Sequence, residues 1–155
     1  MKSNDFPIYY LSPRGVKLDA QISNSISKLD GMTLVCGKYE GIDERVIKHF
    51  NMIEISIGDY ILSGGDLAAM VLIDSVVRCL PNVLGNPLTL NEESFTNHLL
   101  EYPLYTQPRE WKNYKVPDVL LSGDHKKIKN WKIKQSEDIT MKRRPDLWKK
   151  YLKLK

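Results

Sequence analysis

The sequence is poor in several residue types on which familiar chemistries depend. Its two cysteines, Cys36 and Cys79, stand apart inside apolar runs and form no C-x-x-C pair. That excludes a zinc ribbon or a dithiol redox motif and reads as two buried free thiols in a reducing compartment. The three histidines, His49, His98 and His125, are scattered without metal-ligand spacing, so no metal ligand is assigned. No apolar run approaches the roughly 20 residues of a membrane-spanning helix, so no membrane partner is expected. The opening MKSNDFPIYYLSP lacks the charged, apolar and small-residue regions of a signal peptide, and the cytoplasm is the expected location. There is no G-x-G-x-x-G fingerprint, no phosphate-binding P-loop and no G-x-S-x-G elbow.

What is present is an ordinary globular composition. With 155 residues, 42% apolar and 27% charged, the chain has enough apolar material for one domain, or one domain with a small appendage. Charge is unevenly placed. From Asp124 to Lys155 there are twelve Lys or Arg against four Asp or Glu; the preceding residues hold eleven against fifteen. A solvated basic tail and a phosphate-facing surface explain the basic end equally well on charge alone.

Along the chain, Ile8–Leu11 reads as a strand stopped by Ser12-Pro13-Arg14-Gly15. Ile22, Ile26 and Leu29 predict a surface helix within residues 19–29. Residues 33–36 read as a buried strand, 44–50 as a short helix and 53–57 as a third strand. Residues 67–80 form a nearly continuous apolar helix, interrupted only by Asp74, Ser75 and Arg78. It lacks a properly polar face and is expected to be buried on most sides, by its own domain or by a second subunit. This alternation predicts an α/β fold with a parallel sheet and right-handed crossovers. Ligands in such sheets sit beyond the carboxyl ends of the strands, where the loops at Ser12, Gly37 and Gly58 fall. Residues 82–97 read as a linker able to order on binding. Beyond it, Pro103, Pro108 and Pro117 break regularity, Asp124 is a good N-cap for a helix through Trp131, and a last short helix follows Pro145.

Two glycine-rich turns carry acids: Glu40, Asp43 and Glu44 in one, Asp59 and Asp66 in the other. Phosphate-cradling loops present backbone N–H groups without carboxylates nearby, so these turns suit a neutral or cationic ligand better. Taken singly, Asp43 and Asp66 read first as helix caps, which does not exclude a ligand nearby. Arg78 sits one turn after Asp74, where an i,i+4 pair and an intersubunit or substrate role stand level.

The segments Tyr10-Leu11-Ser12-Pro13, CGKYEGIDERV (36–46), residues 55–66, LIDSVVR (72–78) and VLLSGDH (119–125) resemble, in order and spacing, the TrmD-type tRNA (guanine-N1)-methyltransferases. The resemblance covers essentially the whole chain. It implies a SPOUT-class homodimer with a deep trefoil knot that uses S-adenosylmethionine, with magnesium a further candidate although no ligand set is readable. By this resemblance residues 1–83 form the knotted cofactor domain, 84–98 the interdomain linker and 99–155 a helical tRNA-binding module. The implied cofactor residues are Tyr10, Leu11, Ser12 and Pro13; Gly37, Tyr39, Glu40 and Gly41; and Ile57, Gly58, Asp59, Tyr60, Ile61, Leu62, Gly64 and Gly65. The implied reaction methylates N1 of the guanine just 3′ of the anticodon in tRNA. Glu93, immediately before Ser94-Phe95, matches the family's general base, and Arg78 the arginine reaching the reacting groups from the partner subunit.

This sequence departs from the family pattern in three respects. Glu93 stands where many members have aspartate, which moves the carboxylate by one methylene. Leu104 and Gln107 stand where a histidine and an arginine are expected near RNA. The resemblance also starts roughly a third of the way into the family's length, leaving its first strands and a glycine-rich loop outside this chain. A non-catalytic cofactor- or RNA-binding chain is therefore the competing expectation. A SPOUT enzyme with another RNA target is disfavoured by Glu93-Ser94-Phe95 and the C-terminal module.

Overall fold

In the computed structural model, which describes residues 6–84 and 93–155, the first apolar segment builds the strand β1 (Ile8–Lys17) at the centre of a parallel sheet. The chain divides into two compact units, Met1–Pro87 and Leu88–Lys155. In the first, β2 (Thr33–Cys36) and β3 (Ile53–Ser56) flank β1 in the order β2-β1-β3, all parallel. The connections carry α1 (Ala20–Ile26) and α2 (Glu44–His49), and α3 (Gly65–Val77) follows β3. The α/β class with a parallel sheet read from the sequence is therefore present.

The helix starts follow local chemistry. Asp19 caps α1 by accepting a hydrogen bond from the Ile22 amide at 2.9 Å, and Asp43 caps α2 by accepting from Arg45 at 2.8 Å. Helix α1 ends at Ile26, short of the expected Leu29. The core lies between the sheet and the pair α1 and α3, where Tyr9, Leu11, Ile26, Ile55, Leu72 and Val76 are buried together. A hydrogen bond of 3.1 Å between the Ser23 and Ser75 hydroxyls joins the two helices.

Two expectations need correction, and a third is narrowed. First, β1 does not stop at Leu11. Leu11 and Val16 both pair with Ile55, so residues 12–15 form a bulge and the strand resumes beyond it. Gly15 makes this register feasible: a Cβ there would lie 2.3 Å from the Glu54 carbonyl carbon. Second, β2 is not buried. It pairs on one side only, and Thr33 and Cys36 are exposed. Third, α3 is covered by its own unit on one face only, through Ala68, Ala69, Leu72 and Val76. Leu67, Met70, Val71, Ile73 and Val77 are exposed.

The second unit begins with a 3-10 turn (Thr96–His98) and a two-stranded antiparallel hairpin, β4 (Glu110–Trp111) and β5 (Tyr114–Lys115). Then come α4 (Asp118–Leu121), α5 (His125–Arg143) and α6 (Pro145–Leu152). Asp124 caps α5 as expected, accepting from the amides of Lys126 and Lys127 at 3.1 and 3.0 Å. The core here is thin and partly polar. Thr140 is fully buried, accepting from the Leu100 amide at 2.8 Å and donating to the Ser136 carbonyl at 2.6 Å. Leu147 is the buried apolar residue of α6. Most of the expected linker at 84–98 lies outside the described residues.

Candidate functional site

At one edge of the parallel sheet of the first unit, the bulge of β1 meets the loops that follow β2 and β3. Residues 12–15 bulge from β1, residues 37–43 follow β2, and residues 57–64 follow β3. The second and third loops are joined directly. The Gly65 amide donates to the Gly37 carbonyl at 2.9 Å, and Lys38 and Gly64 form an antiparallel bridge. This contact requires glycine at 65, since a Cβ would lie 2.9 Å from the Cys36 Cα and 3.1 Å from the Gly37 nitrogen.

Between the loops is a cavity of about 420 Å³, within the size range of small-molecule sites. Tyr10, Leu11, Ser12 and Pro13 line it from β1. Gly37, Tyr39, Glu40 and Gly41 line it from the second loop, and Ile57, Gly58, Tyr60, Ile61, Leu62, Gly64 and Gly65 from the third. Tyr10 is buried, with its hydroxyl so placed that a Cβ at Gly37 or Gly41 would meet it at 3.0 or 3.1 Å. The Tyr60 hydroxyl donates to the Ile57 carbonyl at 3.3 Å, holding the third loop against its own start. Ser56 Oγ accepts from the Gly58 amide at 3.2 Å and donates to the Gly58 carbonyl at 3.1 Å, closing the same turn.

Asp59 is the one expected cofactor residue that does not line the cavity. Its carboxylate pairs with Lys17 at 2.8 Å in solvent. The other acids of the two turns are mostly engaged as well. Asp43 caps α2 and pairs with Arg45 at 2.6 Å, and that guanidinium holds its carboxyl below the usual range. Glu44 is bonded to Arg14 at 3.0 Å, which likewise lowers its pKa. Asp66 lies in the first turn of α3, whose N-cap is Gly64. Only Glu40 among these acids faces the cavity, so the charge argument for a cationic ligand rests on one carboxylate.

Sequence reasoning passed over Arg14, Lys38, Ile42, Ile55, Ser56, Ser63 and Ala68, which also line the cavity. Arg14 is the most consequential. Its guanidinium bonds Glu54 on β3 through Nε at 3.2 Å and Nη2 at 2.9 Å, and reaches Glu44 on α2. This ties the bulge to two other elements. Both partners lie at least thirty positions away in sequence, and no local pattern signals the pairing. Although Cys36 is exposed, partial desolvation by its neighbours raises its thiol pKa, with the Asp66 charge adding to it, which makes it a weak nucleophile.

The two residues with implied catalytic roles belong to other elements. Arg78 closes α3, its amide donating to the Asp74 carbonyl at 3.2 Å, and does not line the cavity. Glu93 belongs to the second unit, where its carbonyl accepts from the Thr96 amide at 3.3 Å. The neighbouring Ser94 Oγ accepts from the Glu101 amide at 3.0 Å. Among the described residues no group of three or more His, Cys, Asp or Glu side chains could hold a metal ion. No helix among them is long and apolar enough to cross a membrane.

Comparison with known proteins agrees with the loop pattern. Residues 1–150 match the family model described as tRNA (Guanine-1)-methyltransferase TrmD. The tRNA (guanine-N(1)-)-methyltransferase of Pelagibacter ubique is 58% identical over 146 residues, covering 94% of this chain and 64% of that protein. The proteins of the same name from Rhodospirillum rubrum and Ruegeria pomeroyi are 52% and 50% identical, over 96% of this chain. The chain spans about three-fifths of the length of these relatives.

Proposed function

The chain belongs to the TrmD family of tRNA (guanine-1)-methyltransferases, and from that premise we propose that it transfers a methyl group from S-adenosylmethionine to N1 of the guanine 3′ of the anticodon in tRNA. The observation that carries this reading is the meeting of the β1 bulge with the loops after β2 and β3 around one cavity, on residues that the family pattern assigns to the cofactor. The cavity suits that cofactor on its own terms. Gly37 and Gly41 leave open the space that side chains would fill beside the Tyr10 hydroxyl. Glu40 supplies a carboxylate for a cationic ligand, and Ile57, Ile61 and Leu62 supply apolar walls.

When bound, S-adenosylmethionine supplies a methyl group on a cationic sulfur. The protein's own contributions are to hold that ligand between the loops and to manage one proton. Guanine N1 carries a hydrogen, and Glu93 takes it as the N1–carbon bond forms and the sulfur–methyl bond breaks with its electron pair returning to sulfur, leaving the carboxyl protonated and the base neutral. Arg78 from a second subunit steadies the negative charge that develops on the guanine oxygen. Dimerisation is supported by the exposed apolar face of α3 that carries Leu67, Met70 and Val71. The basic stretch of α5 and α6 suits a phosphate backbone. We further assign a trefoil-knotted path to the first unit and, by virtue of the tRNA substrate, a cytoplasmic location.

Incubating the folded chain with labelled S-adenosylmethionine and unmodified tRNA bearing that guanine should yield N1-methylguanosine at the one position. Glu93→Gln should lower single-turnover transfer by about 10²- to 10⁴-fold while leaving cofactor affinity in calorimetry unchanged. Cofactor binding without any transfer by the unaltered chain would favour a non-catalytic role, and undiminished transfer by the variant would remove Glu93 as the base.

A further inference from the structure

The second unit carries a concave surface of its own, bordered by the segment of Leu104 and Gln107 where the sequence departs from the family pattern. In the β4–β5 hairpin Trp111 is directly opposite Tyr114, and Glu110 is opposite Lys115. Lys112 and Asn113 fill the turn at φ 47° and 68°, the left-handed pair that a tight hairpin turn needs. Directly opposed residues share a face of the ribbon. Trp111 and Tyr114 therefore stand together on one face, while Glu110 and Lys115 pair on the other at 3.7 Å.

The two rings border a groove of about 360 Å³, shared with Leu104, Tyr105 and Val116. They are unusually open to solvent: Trp111 is 59% exposed and Tyr114 76%. Leaving two large rings in water forfeits the burial that normally justifies them, which marks a recognition surface. The charges around them identify the partner. Arg109, Lys112 and Lys115 outnumber Glu110 within seven residues, and the Lys112 ammonium lies 4.9 Å from the Trp111 ring centroid. Flat rings with cations at their rim match a base beside its phosphate. Paired bases keep their faces covered by neighbours, so only unpaired nucleotides can use such rings.

We propose that Trp111 and Tyr114 form a stacking platform for unpaired bases in a loop of the RNA substrate, with Lys112 on an adjoining phosphate. This rests on the RNA substrate proposed above and adds to it a base contact carried by the C-terminal unit alone.

The test is fluorescence anisotropy of the full chain with two labelled RNAs of equal length, one a stem-loop with unpaired loop nucleotides and one a blunt duplex. The stem-loop should bind more tightly. Trp111→Ala and Tyr114→Ala should each weaken stem-loop binding about tenfold, with duplex binding, salt dependence and melting temperature unchanged. Trp111→Phe, which keeps a ring, should recover most of the loss. Lys112→Ala should weaken both RNAs and lower the salt slope by about one. Wild-type stem-loop affinity in both alanine variants, or equal losses on the two RNAs, would overturn the platform. Its fate is separable from that of the methyl-transfer reading. A chain that transfers no methyl yet loses its loop preference with Trp111 keeps the platform; active enzyme whose RNA KM ignores Trp111→Ala loses it.

Discussion

Arg14 shows how much of this site depends on single side chains placed by the fold. It sits in the β1 bulge, lines the cavity and bonds both Glu44 and Glu54. Because the guanidinium is largely solvent-exposed, its effect on global stability should be small. Its local effect should be larger, since Arg14 joins the bulge to both β3 and α2. Arg14→Ala is expected to weaken S-adenosylmethionine binding by about fivefold with little change in melting temperature; calorimetry and thermal unfolding would check the two halves of that statement. A second residue-level outcome concerns acid. The Arg144 guanidinium, bonded to Asp146 at 2.6 Å, lowers that carboxyl from 3.8 to about 2. A depressed folded pKa means the pair contributes above pH 3.8 and is lost as pH falls towards 2. Asp146→Asn should flatten the fall in melting temperature across that window, more visibly at low salt because the pair is exposed.

At the scale of elements, the contact between the loops after β2 and β3 is the critical joint. It depends on the absence of a side chain at Gly65, where backbone atoms of Cys36 and Gly37 occupy the space. Backbone cannot swing aside as a flexible side chain can. Gly65→Ala is therefore expected to destabilise the first unit by about 1–3 kcal/mol and to reduce cofactor affinity more than tenfold, measured by denaturant unfolding and calorimetry. Unchanged affinity would mean that the joint does not shape the cavity. The bulge in β1 belongs to the same scale. Pro13 and Gly15 read as a strand stop because both interrupt local regularity, yet the strand resumes at Val16, since the neighbouring β3 still offers Ile55 and Ser56 as partners.

For the molecule as a whole, the face of α3 turned away from the sheet is the strongest sign of a second copy. Met70 is 65% exposed and Leu67 60% on a helix already packed on its other side. If that face is the dimer interface, the chain should sediment as a dimer at micromolar concentration. Met70→Asp should then shift it to monomer and, on the proposed cross-subunit role of Arg78, abolish transfer, while a single subunit keeps its cavity. A monomeric wild type would remove both the interface and the cross-subunit role of Arg78.

Much of the fold was legible beforehand because its signals are local. Asp19, Asp43 and Asp124 announce helix starts through a carboxylate reaching amides two or three residues on. The alternation of strand and helix implied a parallel sheet, and in such a sheet the following loops must gather at one edge. That much of the candidate site, including the glycines at 37, 41, 64 and 65, follows from the sequence by itself. The tertiary structure decided what depends on residues far apart in the chain. It placed Asp59 on Lys17 instead of in the cavity, recruited Arg14 through partners on β3 and α2, left Cys36 on an edge strand, and brought Leu104 beside Trp111. A short carboxylate or an aromatic ring carries the same local signal whichever neighbour it meets, and only the packing of distant segments selects that neighbour.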